Sequence, residues 1–232
     1  MLERLDYKDG DTALTGWLAR PQGTPRAAIL IWPTIANVGP AIEARAAALA
    51  EQGYLALIGD FYGAPVASFE AASPMAGTLR ADWDAYRARL RAALAALAAL
   101  PEAAGLKLGV IGYCMGGQAA LELARDGADI AAAVSFHGVF GTQQPAKEGA
   151  VKARILVLHG DADPLATREN VAGLWEELDA AGADWHFHSY ARVRHGFTDK
   201  GSDERGKAFL GYNASADRQS WAAMLSFFDE IF

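Results

Sequence analysis

Three residue types at well-separated places in this chain could cooperate in acyl transfer. They are the single cysteine, Cys114, an acid at Asp161 or Asp163, and a histidine at His195. Cys114 stands in Gly112-Tyr113-Cys114-Met115-Gly116-Gly117, after an apolar run and before an Ala/Leu-rich helical pattern. That order reads as strand, very tight turn, helix. Such a turn holds its apex in a sterically poor backbone conformation, so residues two positions away on either side must be nearly free of side chain. Gly112 and Gly116 meet that demand, and Gly117 lets the helix start lie close to the strand. The apex side chain then projects above the sheet, and the backbone N–H of Met115 can face a developing negative charge. A dinucleotide fingerprint is a poor alternative, because Gly-x-Gly-x-x-Gly does not fit this spacing.

A free thiol titrates near ~8.5, so Cys114 needs a base to act as a nucleophile at neutral pH. His195 is the candidate: it stands in Arg194-His195-Gly196-Phe197, beside a glycine at a strand exit. The acid is expected from His159-Gly160-Asp161-Ala162-Asp163-Pro164, which begins where an apolar strand stops. Asp163 is the expected partner of His195, and Asp161, its competitor, is expected to cap the turn. His186 and His188 alternate along a strand and read as surface or packing residues. No histidine pair has His-x-x-x-His spacing with a carboxylate and the cysteine has no second thiol, so neither metal nor cofactor is expected.

The elements that must position these residues alternate. Glu3–Tyr7 and Thr12–Ala19 read as an edge hairpin around Asp9-Gly10-Asp11. Further strands are expected over 27–32, 54–59, 106–113, 130–136, 155–159 and 184–190, with helices over 41–52, 81–100, 167–181 and 214–231 and one directly after the cysteine turn. Trp221, Leu225, Phe227 and Phe228 are expected to anchor the last helix. The stretch 60–80, rich in Gly, Pro, Ser and Ala, reads as a long loop and candidate lid. Long loops are also expected over 138–153 and, with one helical turn, over 192–211. Alternation of this kind implies an α/β fold, a mostly parallel central sheet with helices on both faces. Ligands of such sheets sit outside the carboxyl ends of the strands, where the odd loops lie.

The 232 residues suit a single domain over 1–232. A net charge of −7 argues against nucleic acid as a partner. One cysteine excludes an internal disulfide, and Met1–Asp6 lacks the design of a signal peptide. No apolar run is long enough to cross a bilayer. The expectation is a cytoplasmic protein, a monomer or small homo-oligomer, whose partner is a small-molecule ester or lactone.

Nucleophile, acid and histidine in this order, each after a successive strand, is the chain order of α/β-hydrolases. With Gly-Tyr-Cys-Met-Gly-Gly at 112–117, Gly-x-x-Asp at 160–163, His-Gly-Phe at 195–197 and Gly59-Asp60-Phe61-Tyr62-Gly63, the sequence resembles the dienelactone hydrolase family from about Arg26 onward. The resemblance implies an α/β-hydrolase fold and a Cys114–His195–Asp163 triad cleaving a small ester or lactone through a thioester. It implies an oxyanion hole made by the N–H groups of Met115 and Ile35. Thr34, Tyr62, Arg80, Tyr113, His137 and Phe197 are the expected substrate-binding residues, and Trp32 and Phe136 could share an apolar wall with them. The chain departs from the family at two positions: Thr34 replaces a glutamate, and Asp199, beside Lys200, replaces an arginine. Two alternatives stay open, a general carboxylesterase or thioesterase, and a non-catalytic binder with Cys114 as a redox sensor.

Overall fold

In the computed structural model, which describes residues 2–232, the chain forms two compact units, 1–110 and 111–232. The first opens with β1 (Glu3–Asp9) and β2 (Thr12–Ala19), an antiparallel hairpin in register from Glu3↔Leu18 to Asp9↔Thr12. Their alternating burial matches a hairpin at the sheet edge with one wet face, β1 outermost. The next strands, β3 (Ala28–Trp32) and β4 (Leu55–Ile58), are parallel to each other and buried at every residue. Continuous burial requires cover on both faces, hence the unbroken apolar and β-branched run in each. The order is β1-β2-β4-β3. Helix α1 (Pro40–Glu51) packs on β4 and β2, and α3 (Trp83–Ala98) on β1 and β3.

One sequence expectation fails here. The stretch 60–80 is not loop throughout, because Phe69–Arg80 forms α2. Its composition hides the signal. The Ser68 hydroxyl accepts from the Ala71 N–H as an N-cap, and alanines at 72 and 76 supply a buried stripe. Pro74 inside the helix removes one internal hydrogen bond, which is why the stretch reads as broken.

The second unit carries β5 (Leu108–Tyr113, which begins just before the boundary), β6 (Ala132–Phe136), β7 (Arg154–Gly160) and β8 (Trp185–Tyr190) in that order, with β6, β7 and β8 parallel. Helix α4 (Met115–Arg125), buried along its whole length, lies against β6. Helix α5 (Arg168–Ala180) opens on a capping box between Thr167 and Asn170. Helix α6 (Ala214–Asp229) contacts β6 and β7 through a seam of Ala216, Ser220, Met224, Phe227 and Phe228. Trp221 and Leu225, expected as anchors, are only half-buried, because the seam runs one position away from them. The loops expected over 138–153 and 192–211 are present, the latter with one 3-10 turn at Lys200–Arg205.

Candidate active site

Cys114 is the N-cap of α4, and its backbone lies at φ 59°, ψ −118°, in territory that costs a side-chain-bearing residue about 1–3 kcal/mol. The strain is possible because the turn has no room for anything but glycine around it. A Cβ on Gly112 would overlap the backbone of Gly116, and one on Gly117 would come within 2.6 Å of Ser135 Oγ and 2.7 Å of Gly138 Cα. The Cys114 side chain is partly exposed, at the head of a helix whose first amides have no intrahelical acceptors. Both the free amides and the helix dipole favour a thiolate there.

Asp163 and His195 meet. Oδ2 of Asp163 accepts from His195 Nδ1 at 2.6 Å, and both side chains are almost wholly buried. The other carboxylate oxygen accepts from the Leu165 N–H at 2.9 Å, which fixes the plane of the acid. Asp161, the competing acid, faces the other way. Its carboxylate is taken by Arg168 through two bonds of 2.9 and 2.7 Å, so it pairs with α5 and not with a histidine. The His195 loop is held by its backbone: His195 donates to Phe209 O, Gly211 donates to His195 O, and Asn213 donates to Phe197 O.

With Nδ1 committed to Asp163, the working nitrogen of His195 is Nε2. Burial by itself pulls the imidazole down. The neighbouring Cys114 sulfur and the hydrogen bond to Asp163 outweigh burial, and the ring is pushed up to about 10. Asp163 and His195 thus form a buried hydrogen-bonded pair whose electrostatics include Cys114.

His137, an expected substrate-binding residue, is buried beside the cysteine turn. It follows β6 at φ 39°, a left-handed conformation, and is 1% exposed. The Cys114 N–H is shared between Phe136 O at 3.1 Å and His137 Nδ1 at 3.2 Å, and His137 Nε2 meets Thr198 Oγ1 at 2.9 Å. The ring stands edge-on to His195, 5.2 Å between centroids, and to Phe197 at 5.1 Å. Both ring nitrogens are turned to protein, so His137 braces the cysteine turn against the histidine loop. Thr198, which sequence reasoning missed, completes that brace; a threonine three positions after a histidine carries no signal by type. Phe197 is fully buried against His137 and Tyr190, and Tyr113 is buried in a stack on Phe136 at 4.7 Å. Both of these expected substrate-binding side chains are buried in this structure.

The remaining expected residues belong to the first unit. Tyr62 donates its hydroxyl to Ile35 O at 3.0 Å, and Thr34 Oγ1 accepts from the Ala36 N–H at 3.3 Å. Asn37, at φ 63°, donates Nδ2–H to Asp60 Oδ1 at 2.8 Å, so the 34–37 loop is pinned at several points. Trp32 is buried in a stack with Phe61. Arg80 donates from Nε to Ala76 O within its own helix. In the second unit Asp199 is held by Arg205 at 2.6 Å, and Arg192 and Arg194 are exposed. Among the described residues, no group of His, Cys, Asp and Glu is placed to hold a metal ion, and no helix is long and apolar enough to cross a membrane.

Compared with known proteins, residues 14–232 match the Dienelactone hydrolase family. The chain belongs to that family. Two solved structures superpose over its whole length: m3DLH, 36% identical, with a TM-score of 0.94, and a dienelactone hydrolase-like promiscuous phosphotriesterase from metagenomic libraries, 34% identical, with a TM-score of 0.95. In each case 98% of the other chain is covered. An uncharacterized protein of Caenorhabditis elegans is 38% identical over 149 residues, which is 62% of this chain and 92% of that protein. The mostly parallel, helix-flanked sheet is thus an α/β-hydrolase fold, and this family member is a hydrolase.

Proposed function

We propose that this dienelactone hydrolase-like protein cleaves a small carboxylic ester or lactone, with Cys114 as nucleophile, His195 as general base and acid, and Asp163 as the residue that orients His195. The observation that carries the reading is the buried 2.6 Å bond between Asp163 and His195, on a ring whose protonation is raised by Cys114. The Cys114 sulfur attacks the carbonyl carbon, and the carbonyl π electrons move to oxygen. The oxyanion is held by the Met115 N–H and, by the resemblance of the sequence, by that of Ile35; loss of one such donor typically costs about 3 kcal/mol in the barrier. Collapse breaks the acyl–oxygen bond, His195 Nε2–H protonates the departing alkoxide, and a thioester remains on Cys114. His195 then takes a proton from water, whose oxygen attacks the thioester and releases acid and thiolate. A lactone follows the same course, its leaving alkoxide staying tethered to the product.

The test is acyl-enzyme trapping with small lactones and esters, read by intact-protein mass spectrometry. An adduct of acyl mass on the wild type, absent from Cys114→Ala, is expected; turnover that persists in Cys114→Ala overturns the reading. A second activity is suggested by the phosphotriesterase relative at 34% identity. The same thiolate could attack phosphorus in an uncharged triester, and a burst of aryl alcohol from a diethyl aryl phosphate would register it.

A further inference from the structure

A cleft of about 270 Å³ opens in the second unit, lined by His159, Asp161, Arg168, Val171, Trp175, Phe187 and Ser189. Three periodicities build it. His159 and Asp161 are alternate residues at the end of β7, Phe187 and Ser189 are alternate residues of β8, and the register sets His159 beside Ser189. Arg168, Val171 and Trp175 fall on one stripe of α5. None of these residues takes part in the proposed hydrolysis.

Two observations mark the cleft as more than a packing gap. His159 is 1% exposed, and neither of its ring nitrogens has a hydrogen-bond partner. A neutral imidazole carries one donor and one acceptor, and leaving both unmet when buried costs free energy that a native protein seldom spends without a use. Trp175, 40% exposed, is one of two large hydrophobic residues so exposed among those described. It stands edge-on to Phe187 at 5.4 Å between centroids, and Phe187 lies 5.5 Å from His159. The walls are therefore aromatic and the imidazole at the base is unsatisfied, the composition of a small-ligand site.

The charge of the ligand follows from the lining. Burial holds the His159 imidazole below its ordinary value, so it is neutral at neutral pH. Arg168 and Asp161 cancel each other through their two-bond ion pair. An ion entering the cleft would find no unmatched countercharge, whereas a hydroxyl can donate or accept and so suits either imidazole tautomer. We infer that the cleft binds a small uncharged aromatic alcohol, its ring against Trp175 and Phe187 and its hydroxyl on His159.

Phenol is the probe, titrated into the full chain with the histidine ring resonances followed by NMR and the heat of binding by calorimetry. Saturable shifts of the His159 ring are expected; shifts of His195 with none at His159, or no saturable binding, overturn the inference. Trp175→Ala, at a half-exposed position where folding is not at stake, is expected to weaken phenol at least tenfold, and unchanged affinity overturns the site. Benzoate and cyclohexanol are each expected to bind at least tenfold more weakly than phenol. Benzoate binding as tightly as phenol overturns the uncharged class, and equal binding of cyclohexanol overturns the aromatic one.

Discussion

At His195, protonation is coupled both to folding and to the neighbouring sulfur. An unfolded histidine titrates near ~6.5, and the folded one is raised to about 10. The folded state therefore binds the proton more tightly. Its contribution to stability is fully present below about pH 6.5 and is lost as pH rises through about 10. Urea unfolding across that interval is expected to show stability falling with pH in the wild type, and the slope should shrink in His195→Gln. Cys114→Ser removes the thiolate charge, so the His195 ring resonance should titrate at lower pH; an unmoved titration would remove Cys114 as the cause. His137 gives a second prediction. Because it braces the Cys114 amide from a left-handed backbone, His137→Gly should relieve backbone strain while releasing the brace. The expected result is a fall in kcat of about tenfold to a hundredfold with a smaller change in KM, accompanied by a loss of thermal stability from the cavity that the deleted ring leaves. A substrate-contact role for His137 would instead show mainly in KM. The pairing of Asp163 with His195 was readable from the chain, since Gly160 three residues before the acid and Gly196 just after the histidine mark tight strand exits. His137 and Thr198 were not readable as a brace, because their roles depend on which way two ring nitrogens point.

At the level of elements, the contact of α4 with the end of β6 decides how close the cysteine turn can come to its neighbours. Gly117 lies so near Ser135 and Gly138 that one added methyl has no space. Gly117→Ala is expected to destabilise by about 1–3 kcal/mol, seen in chemical denaturation, and to lower activity at the same time. The strands and most helices were legible from periodicity, because unbroken apolar runs and the capping residues Asp82, Thr167 and Asn213 announce them. Helix α2 was not. Its alanines look like loop filler, and Pro74 outweighs the Ser68 cap in any local reading. The seam of α6 was half legible: Phe227 and Phe228 are buried as expected, while a serine and an alanine take the places expected of Trp221 and Leu225.

On the scale of the molecule, a buried ion network steadies the second unit. Arg125, with a side chain 1% exposed, binds Glu122 and Glu177 at 2.8 Å and donates to Phe140 O at 2.9 Å. Burial opposes its charge, but the two glutamates outweigh burial and hold the guanidinium above its ordinary value. Glu177 also accepts from the Ala146 N–H, so the network clips the long 138–153 loop at both Phe140 and Ala146. Arg125→Met would strand a buried carboxylate, and a loss of about 3–5 kcal/mol in urea unfolding is expected. Nothing in the sequence flags that arginine, which looks like any basic residue in the last turn of a helix. The order of cysteine, acid and histidine pointed to the fold class. That order is a global property of a chain, and a sequence displays it without coordinates.

The torsion at residue 114 limits which chemistries this scaffold can adopt by point mutation. Serine differs from cysteine by one atom and tolerates the same rotation about N–Cα, so an oxygen nucleophile is a single step away. Threonine, branched at Cβ, pays heavily for any positive φ. The exchange open to descendants of this protein is thus sulfur for primary alcohol, while the secondary alcohol is closed to them by geometry and not by reactivity.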